Sequence, residues 1–262
     1  MNIVHTTLHT IVESSLTQAP AAGVGTLALS LLIAICCVSI RPVWHIARNL
    51  ITIIHEGGHA LIALCSGRRL GSVRLHADTS GETVSFGKSH GIAYVVTAMA
   101  GYPAPAVLGI AASLLAARGY VSATLWILVA LMFALLIRVR NMYGIIVIMV
   151  TASLVVGISW WADIRVQTIA AHSLAWFLIL GSIRPLLELQ SQRARGQSHG
   201  SDADSLDAAT RIPGLVWIIL WMLWSLFALW IAAAWMTRSV GGITPFAHSV
   251  LTLSRLGVLL QH

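Results

Sequence analysis

Residues 50–64 read LITIIHEGGHALIAL, a run that is apolar except for two histidines, a glutamate and two glycines. A charged residue at the centre of a membrane span costs about 2.5–3.5 kcal/mol on insertion scales, so its presence there calls for a functional reason. His55 and His59 are four apart, and on a helix their rings leave one face a single turn apart. Two imidazole nitrogens so placed reach one zinc ion, with a third protein ligand and a water completing a tetrahedron. Glu56, beside the first histidine, is suited to take the water's proton and later return it to a leaving amine. Gly57 and Gly58 leave room for metal, water and an extended substrate backbone. Random placement of the chain's 11 histidines and four glutamates gives this pattern about 0.007 times per chain. The competing reading, histidines that only bridge helices by hydrogen bonds, is much the weaker.

The surroundings decide the fold class. Of 262 residues, 57% are hydrophobic and 10% charged, with a mean hydropathy of +0.84. A soluble domain carries about a quarter charged residues, so this composition indicates a polytopic membrane protein. The net charge of +7 comes from basic residues scattered between apolar segments. That distribution orients spans and argues against nucleic-acid binding. Apolar runs long enough to span fall at 23–40, 43–66, 91–117, 120–138, 142–161, 166–183 and 213–236. Arg41-Pro42 joins the first two, and the proline suits a tight turn or the first turn of a helix. The expected architecture is an all-α polytopic membrane protein of six to seven transmembrane helices, with a small β-hairpin-like insertion after the histidine helix.

Three segments are not membrane-like. Residues 67–90 alternate loosely around Asp78, Ser80 and Gly81, which reads as a hairpin. Residues 184–212 form a polar loop holding the densest acidic cluster, SDADSLD. Residues 237–262 form a mixed tail, with an amphipathic segment at SVLTLSRLGVLL (249–260) that suits a membrane surface. Residues 1–236 thus read as a single membrane-embedded domain followed by a tail. The first 22 residues hold no Lys or Arg and no cleavage pattern, so no removable signal is expected. Neighbouring Cys36 and Cys37, and Cys65, read as small buried apolar residues. With a cytoplasmic N-terminus and seven spans, Arg41, Arg48, Arg118, Arg165, Arg238 and Arg255 lie outside and the other ten basic residues inside. The balance favours that orientation, and it displaces the histidine pair toward the cytoplasmic face.

An ordered set of motifs adds a resemblance: HEGGHA (55–60), GYPAP (101–105), RN (140–141) and SDADSLDAATRIP (201–213). Together they cover most of 43–236 and resemble the compact bacterial branch of the site-2-protease-type intramembrane zinc metallopeptidases. The resemblance implies one zinc ion, a substrate that is a membrane segment of another protein, and a bacterial cell membrane as location. It also implies a third zinc ligand from a downstream Asp-Gly. The nearest match is Asp202-Ala203, with Asp204 as runner-up and Asp163 and His172 as alternatives. The residues by themselves leave Asp202 open between ligand and helix N-terminus, since Ser201-Asp202 is also a good start signal.

The remaining features are weaker. Gly101, Pro103 and Pro105 break helical hydrogen bonding, and the resemblance gives this break a part in a substrate cleft; an ordinary kink reads as well. Asn141 reads as an oxyanion donor by resemblance, or as a residue that orients a helix end. Arg48, seven residues before His55 on nearly the same face, either lines an aqueous cavity or snorkels to the interface, the second being favoured. Trp217, Trp221 and Trp224 form a stripe typical of packing. The functional expectation is an intramembrane zinc endopeptidase with Glu56 as its proton carrier. The alternatives are a catalytically inactive membrane scaffold on the same fold and, last, a small transporter.

Overall fold

All seven apolar runs are helical, and two sharp bends among them shape the interior. A computed structural model describes residues 3–197 and 200–238. In chain order the helices are α1 (Ile3–Leu16), α2 (Val24–Ser39), α3 (Arg41–Cys65), α4 (Ile92–Met99), α5 (Pro103–Ala117), α6 (Val121–Leu136), α7 (Met142–Trp161), α8 (Ile164–Ala194), α9 (Asp202–Thr210) and α10 (Gly214–Arg238). Strands β1 (Arg69–Leu75) and β2 (Gly81–Phe86) lie between α3 and α4. The chain is an all-α membrane protein with a small hairpin. Helix α1 occupies a stretch for which the sequence suggests no element. The amphipathic segment expected at 249–260 and most of the tail fall outside the described residues.

By length and composition three helices, α7, α8 and α10, are fit to cross a membrane. The count rises to five if the bent pairs α2–α3 (99°) and α4–α5 (62°) are each one span, and α6 is a shorter apolar helix. The first bend sits at Ile40, whose extended backbone ends α2 and precedes Pro42 in the first turn of α3, where a missing N–H costs nothing. The second sits at Gly101-Tyr102, ahead of Pro103 in the first turn of α5.

Helix α8 is the central strut and packs against α2, α5 and α10. Small residues let the backbones close in. A Cβ on Gly109 of α5 would stand 2.5 Å from Ile179 Cγ1 and 3.2 Å from the Ile179 nitrogen; one on Gly181 of α8 would stand 2.7 Å from Ile51 Cδ1 of α3. Such close approach is how helices associate in a medium as apolar as their side chains. Asp163 caps α8 by accepting from the Val166 N–H at 3.0 Å, which employs one alternative ligand at a helix end.

The hairpin is antiparallel, with an irregularity between Leu70 and Ser72. Val73 also bridges in parallel to Val139, so the α6–α7 connection lies along the other edge of β1. Its bonds are Val73 N–H to the Arg138 carbonyl and Arg140 N–H to the Val73 carbonyl, each 3.0 Å. The outer edge of β2 has no strand partner among the described residues. Val73 and Leu75 are buried with Leu128, Met132 and Ile148, which anchors the hairpin into the helical core.

Gly109→Val is expected to force α5 off α8 at a cost of about 1–3 kcal/mol, the usual penalty for overpacking. Thermal unfolding in detergent measures it. Gly25→Ala, whose added methyl meets nothing within 4 Å, should keep or raise the midpoint.

Candidate metal centre

His55 and His59 project from one face of α3, as their spacing requires, and α9 brings a carboxylate to them. His55 Nε2, His59 Nε2 and Asp202 Oδ2 form a triangle with three edges of 3.1 Å. A tetrahedral zinc ion with bonds of about 2.0–2.1 Å separates its ligands by roughly 3.3 Å. The donor set, two imidazoles and one carboxylate, is that of a catalytic zinc site with a position left for water. His59 Nδ1 lies 2.7 Å from the Thr97 carbonyl oxygen, which can only accept. Nδ1 is thus engaged as a donor, which leaves Nε2 as the atom that would ligate an ion at the triangle. Gly101 completes the fit: a Cβ there would overlap both Nε2 atoms. The residues present suit one zinc ion.

Placing Asp202 takes several short-range devices. Ser201 caps α9, accepting from the Asp204 N–H, while Asp204 Oδ2 accepts from the Ser201 N–H at 3.1 Å, a reciprocal capping box. Asp204 Oδ1 pairs with Arg193 at the end of α8. Partial burial opposes the charge on Asp204, but the Ser201 hydroxyl and Arg193 outweigh it and hold the carboxyl below its ordinary range. At the other end, Asp207 Oδ2 accepts from the Gly214 N–H at 3.2 Å, tying α9 to α10. Ala203 and Leu206, both fully buried, pack with Leu186, Leu189, Trp217 and Trp221. Ser201, Ala203, Asp204, Leu206 and Asp207 thus all seat α9, and Asp202, first in the helix, faces the histidines. Burial alone would raise its carboxyl; the facing His59 and His55 rings outweigh that and hold it below the ordinary range.

Glu56 is 4% exposed and lies under the hairpin. Its Oε2 accepts from Thr83 Oγ1 at 2.6 Å, and a Cβ on Gly81 would stand 2.5 Å from its Oε1. Tyr102, at the α4–α5 bend, meets the His55 ring edge-on at 4.8 Å and stacks on Trp221 at 4.6 Å. These groups line a cleft of about 530 Å³ between α3, the hairpin, α4, α8 and α9. Arg48 lines it too, at the opposite end of α3's inner face.

Asn141 stands elsewhere. It precedes α7 without capping it, and its amide brackets the Leu75 backbone: Nδ2 donates to the carbonyl at 2.5 Å and Oδ1 accepts from the N–H at 3.2 Å. His172 is buried with Nδ1 2.8 Å from the Thr168 carbonyl of its own helix. Sequence reasoning passed over Thr83, Thr97 and Tyr102. Thr97 acts through a backbone carbonyl, which leaves no trace in residue type, and Thr83 is one hydroxyl among several in a polar strand.

Residues 28–232 match a family model described as Peptidase M50B-like. No curated protein and no solved structure gives a match.

Gly101→Ala keeps all three donors but sets a methyl among them. Zinc copurifying with the chain, read by elemental analysis, should fall well below stoichiometric while the helical circular dichroism is retained. Asp202→Asn should weaken zinc by more than the roughly 10–100-fold known for loss of second-layer partners. Asp204→Asn removes no donor and only loosens the Arg193 pair that seats α9, so it should weaken zinc less than Asp202→Asn, and equal losses in the two Asp variants would contradict the ligand set.

Proposed function

This chain belongs to the Peptidase M50B-like family, and on that footing we propose that it is an intramembrane zinc endopeptidase. Its substrates are membrane segments of other proteins, cut within or next to the bilayer. The observation that carries the reading is the 3.1 Å triangle of His55, His59 and Asp202 beside Glu56. Its setting supports the same reading, because the cleft is polar in an otherwise apolar helical body and so admits the water that hydrolysis consumes.

Zinc held by His55, His59 and Asp202 would supply a Lewis acid for the substrate carbonyl and lower the pKa of a water. The protein's residues do the rest. Glu56 accepts the water's proton and delivers it to the leaving amine. The Thr83 hydroxyl occupies Oε2, which orients the carboxylate and leaves Oε1 to carry the proton. The Thr97 carbonyl engages His59 Nδ1 as a donor and leaves Nε2 as the ligating atom. Tyr102 and the α4–α5 bend wall the cleft opposite the hairpin. A helical peptide hides its carbonyls in its own hydrogen bonds, so the substrate must unwind before attack. The free edge of β2, with Gly81, Glu82, Thr83 and Ser85 in the cleft, offers main-chain partners to the unwound segment by strand addition. Asn141 supports this indirectly by fixing the β1 end of the hairpin at Leu75. Counted over the seven apolar runs, the basic residues favour an active site toward the cytoplasmic side, and the resemblance favours a bacterial membrane.

Wild type and Glu56→Gln, reconstituted in liposomes with a panel of single-span peptides, test this directly. The variant should retain zinc and lose roughly 10²- to 10⁴-fold in cleavage rate, as for removal of a general base. A zinc chelator should abolish wild-type cleavage and added zinc restore it. Equal processing by both proteins would instead favour a scaffold on the same fold.

A further inference from the structure

The cleft has a second polar feature that hydrolysis itself does not use. Arg48 Nη1 lies 3.2 Å from Glu188 Oε2, and Glu188 Oε1 accepts from Arg184 Nε at 3.0 Å and from the Trp44 indole at 3.1 Å. Both guanidinium groups also lie over the Trp44 ring, at 5.8 Å and 4.7 Å. Two cations therefore share one carboxylate at ion-pair distance, and Asp78 at the hairpin tip acts on Arg48 only from farther away. Arg184 is further occupied by the Val38 carbonyl. The surplus positive charge is left to Arg48, whose side chain is 31% exposed. Among the described residues it is the one Lys or Arg lining the cleft.

Its position relative to the metal centre follows from α3. Seven residues separate Arg48 from His55, about 10 Å along the axis at 1.5 Å per residue and nearly in line on one face. The hairpin runs alongside: Thr52 Oγ1 donates to the Thr79 carbonyl at 2.8 Å, and Thr83 Oγ1 reaches Glu56. The tip of the hairpin thus marks the Arg48 end of the cleft. A peptide paired with β2 beside Glu56 and continued past Gly81 along the hairpin tip covers about 3.3 Å per residue, so roughly three residues carry it from the metal centre to Arg48.

We propose that Arg48 forms an anion-binding subsite that selects substrates with a carboxylate about three residues from the cut bond. The inference rests on the endopeptidase reading. The chemistry is that of a guanidinium with unused N–H donors in a partly desolvated cleft, where a charge-assisted bond is strong. The carboxylate comes either from an Asp or Glu side chain or from a chain's C-terminus.

The test uses the intact protein in liposomes with single-span peptides. Asp, Asn or Lys is scanned through five positions on each side of the wild-type cut, and a parallel set has an amidated C-terminus. One Asp near the third residue should raise kcat/KM roughly 10- to 100-fold over Asn, the scale of a hydrogen bond to a charged group. If the C-terminal carboxylate is the ligand, amidation removes the advantage and the Asp scan is flat. Arg48→Gln should erase the preference and Arg48→Glu should turn it toward Lys. If these variants lose zinc, Glu188→Gln decides, because freeing Arg48 of its partner should strengthen the preference and no change would overturn the subsite. Wild-type cleavage blind to charge and amidation, yet lost in Glu56→Gln, overturns the subsite alone. No cleavage by wild type overturns both readings.

Discussion

One carboxylate oxygen, Asp202 Oδ2, stands 3.1 Å from two imidazole nitrogens that lie some 140 residues away in the chain. Without it α3 presents two imidazole donors with no third donor beside them among the described residues. The contact is demanding, because a carboxylate brought into a largely apolar interior must recover in pairing what it loses in hydration. Much of the surrounding structure serves that recovery. The capping box, the Arg193–Asp204 pair and the Asp207–Gly214 bond hold a nine-residue helix that is too short to persist by itself.

The same economy governs the cleft. In an apolar medium each backbone or side-chain polar group must find a partner inside the protein or face enclosed water. The α4–α5 bend frees backbone groups, and the Thr97 carbonyl just before it is used by His59. The hairpin is tied to α3 twice: the Thr79 carbonyl accepts from the Thr52 hydroxyl, and the Thr83 hydroxyl donates to Glu56. Glycine sits where these surfaces come closest. Gly101 stands against the two Nε2 atoms, Gly81 against Glu56, and Gly58 where a Cβ would be 2.6 Å from Ala104 Cβ. The centre is assembled from three directions at contact distance, and none of the three has room for a side chain at that point.

Arg48, Arg184, Glu188 and Trp44 extend this logic to the far end of the cleft. Aromatic stacking and a shared carboxylate make two guanidinium groups tolerable, and they leave the set one charge out of balance. The imbalance gives the cleft an electrostatic direction, from the carboxylates around the metal centre to a cation two helical turns away.

The sequence by itself determined the membrane class, the helical runs, the hairpin and the placing of His55, Glu56 and His59 on one helix. Each of these is written in local periodicity or composition: a three-and-a-half-residue turn places His55 over His59 wherever the helix lies. The order of the motifs carried the family resemblance as well. Asp202 was legible as a choice between ligand and helix start, and the fold makes it the first residue of α9, with its carboxylate at the histidines. Only tertiary structure decided that, since the outcome depends on where α8 ends and how Arg193 holds Asp204. The same holds for Asn141, whose amide meets Leu75 across 66 residues, and for the Thr83–Glu56 and Thr97–His59 bonds. Such contacts depend on how separate elements dock, and docking is set by packing summed over many residues, which no short stretch of chain encodes.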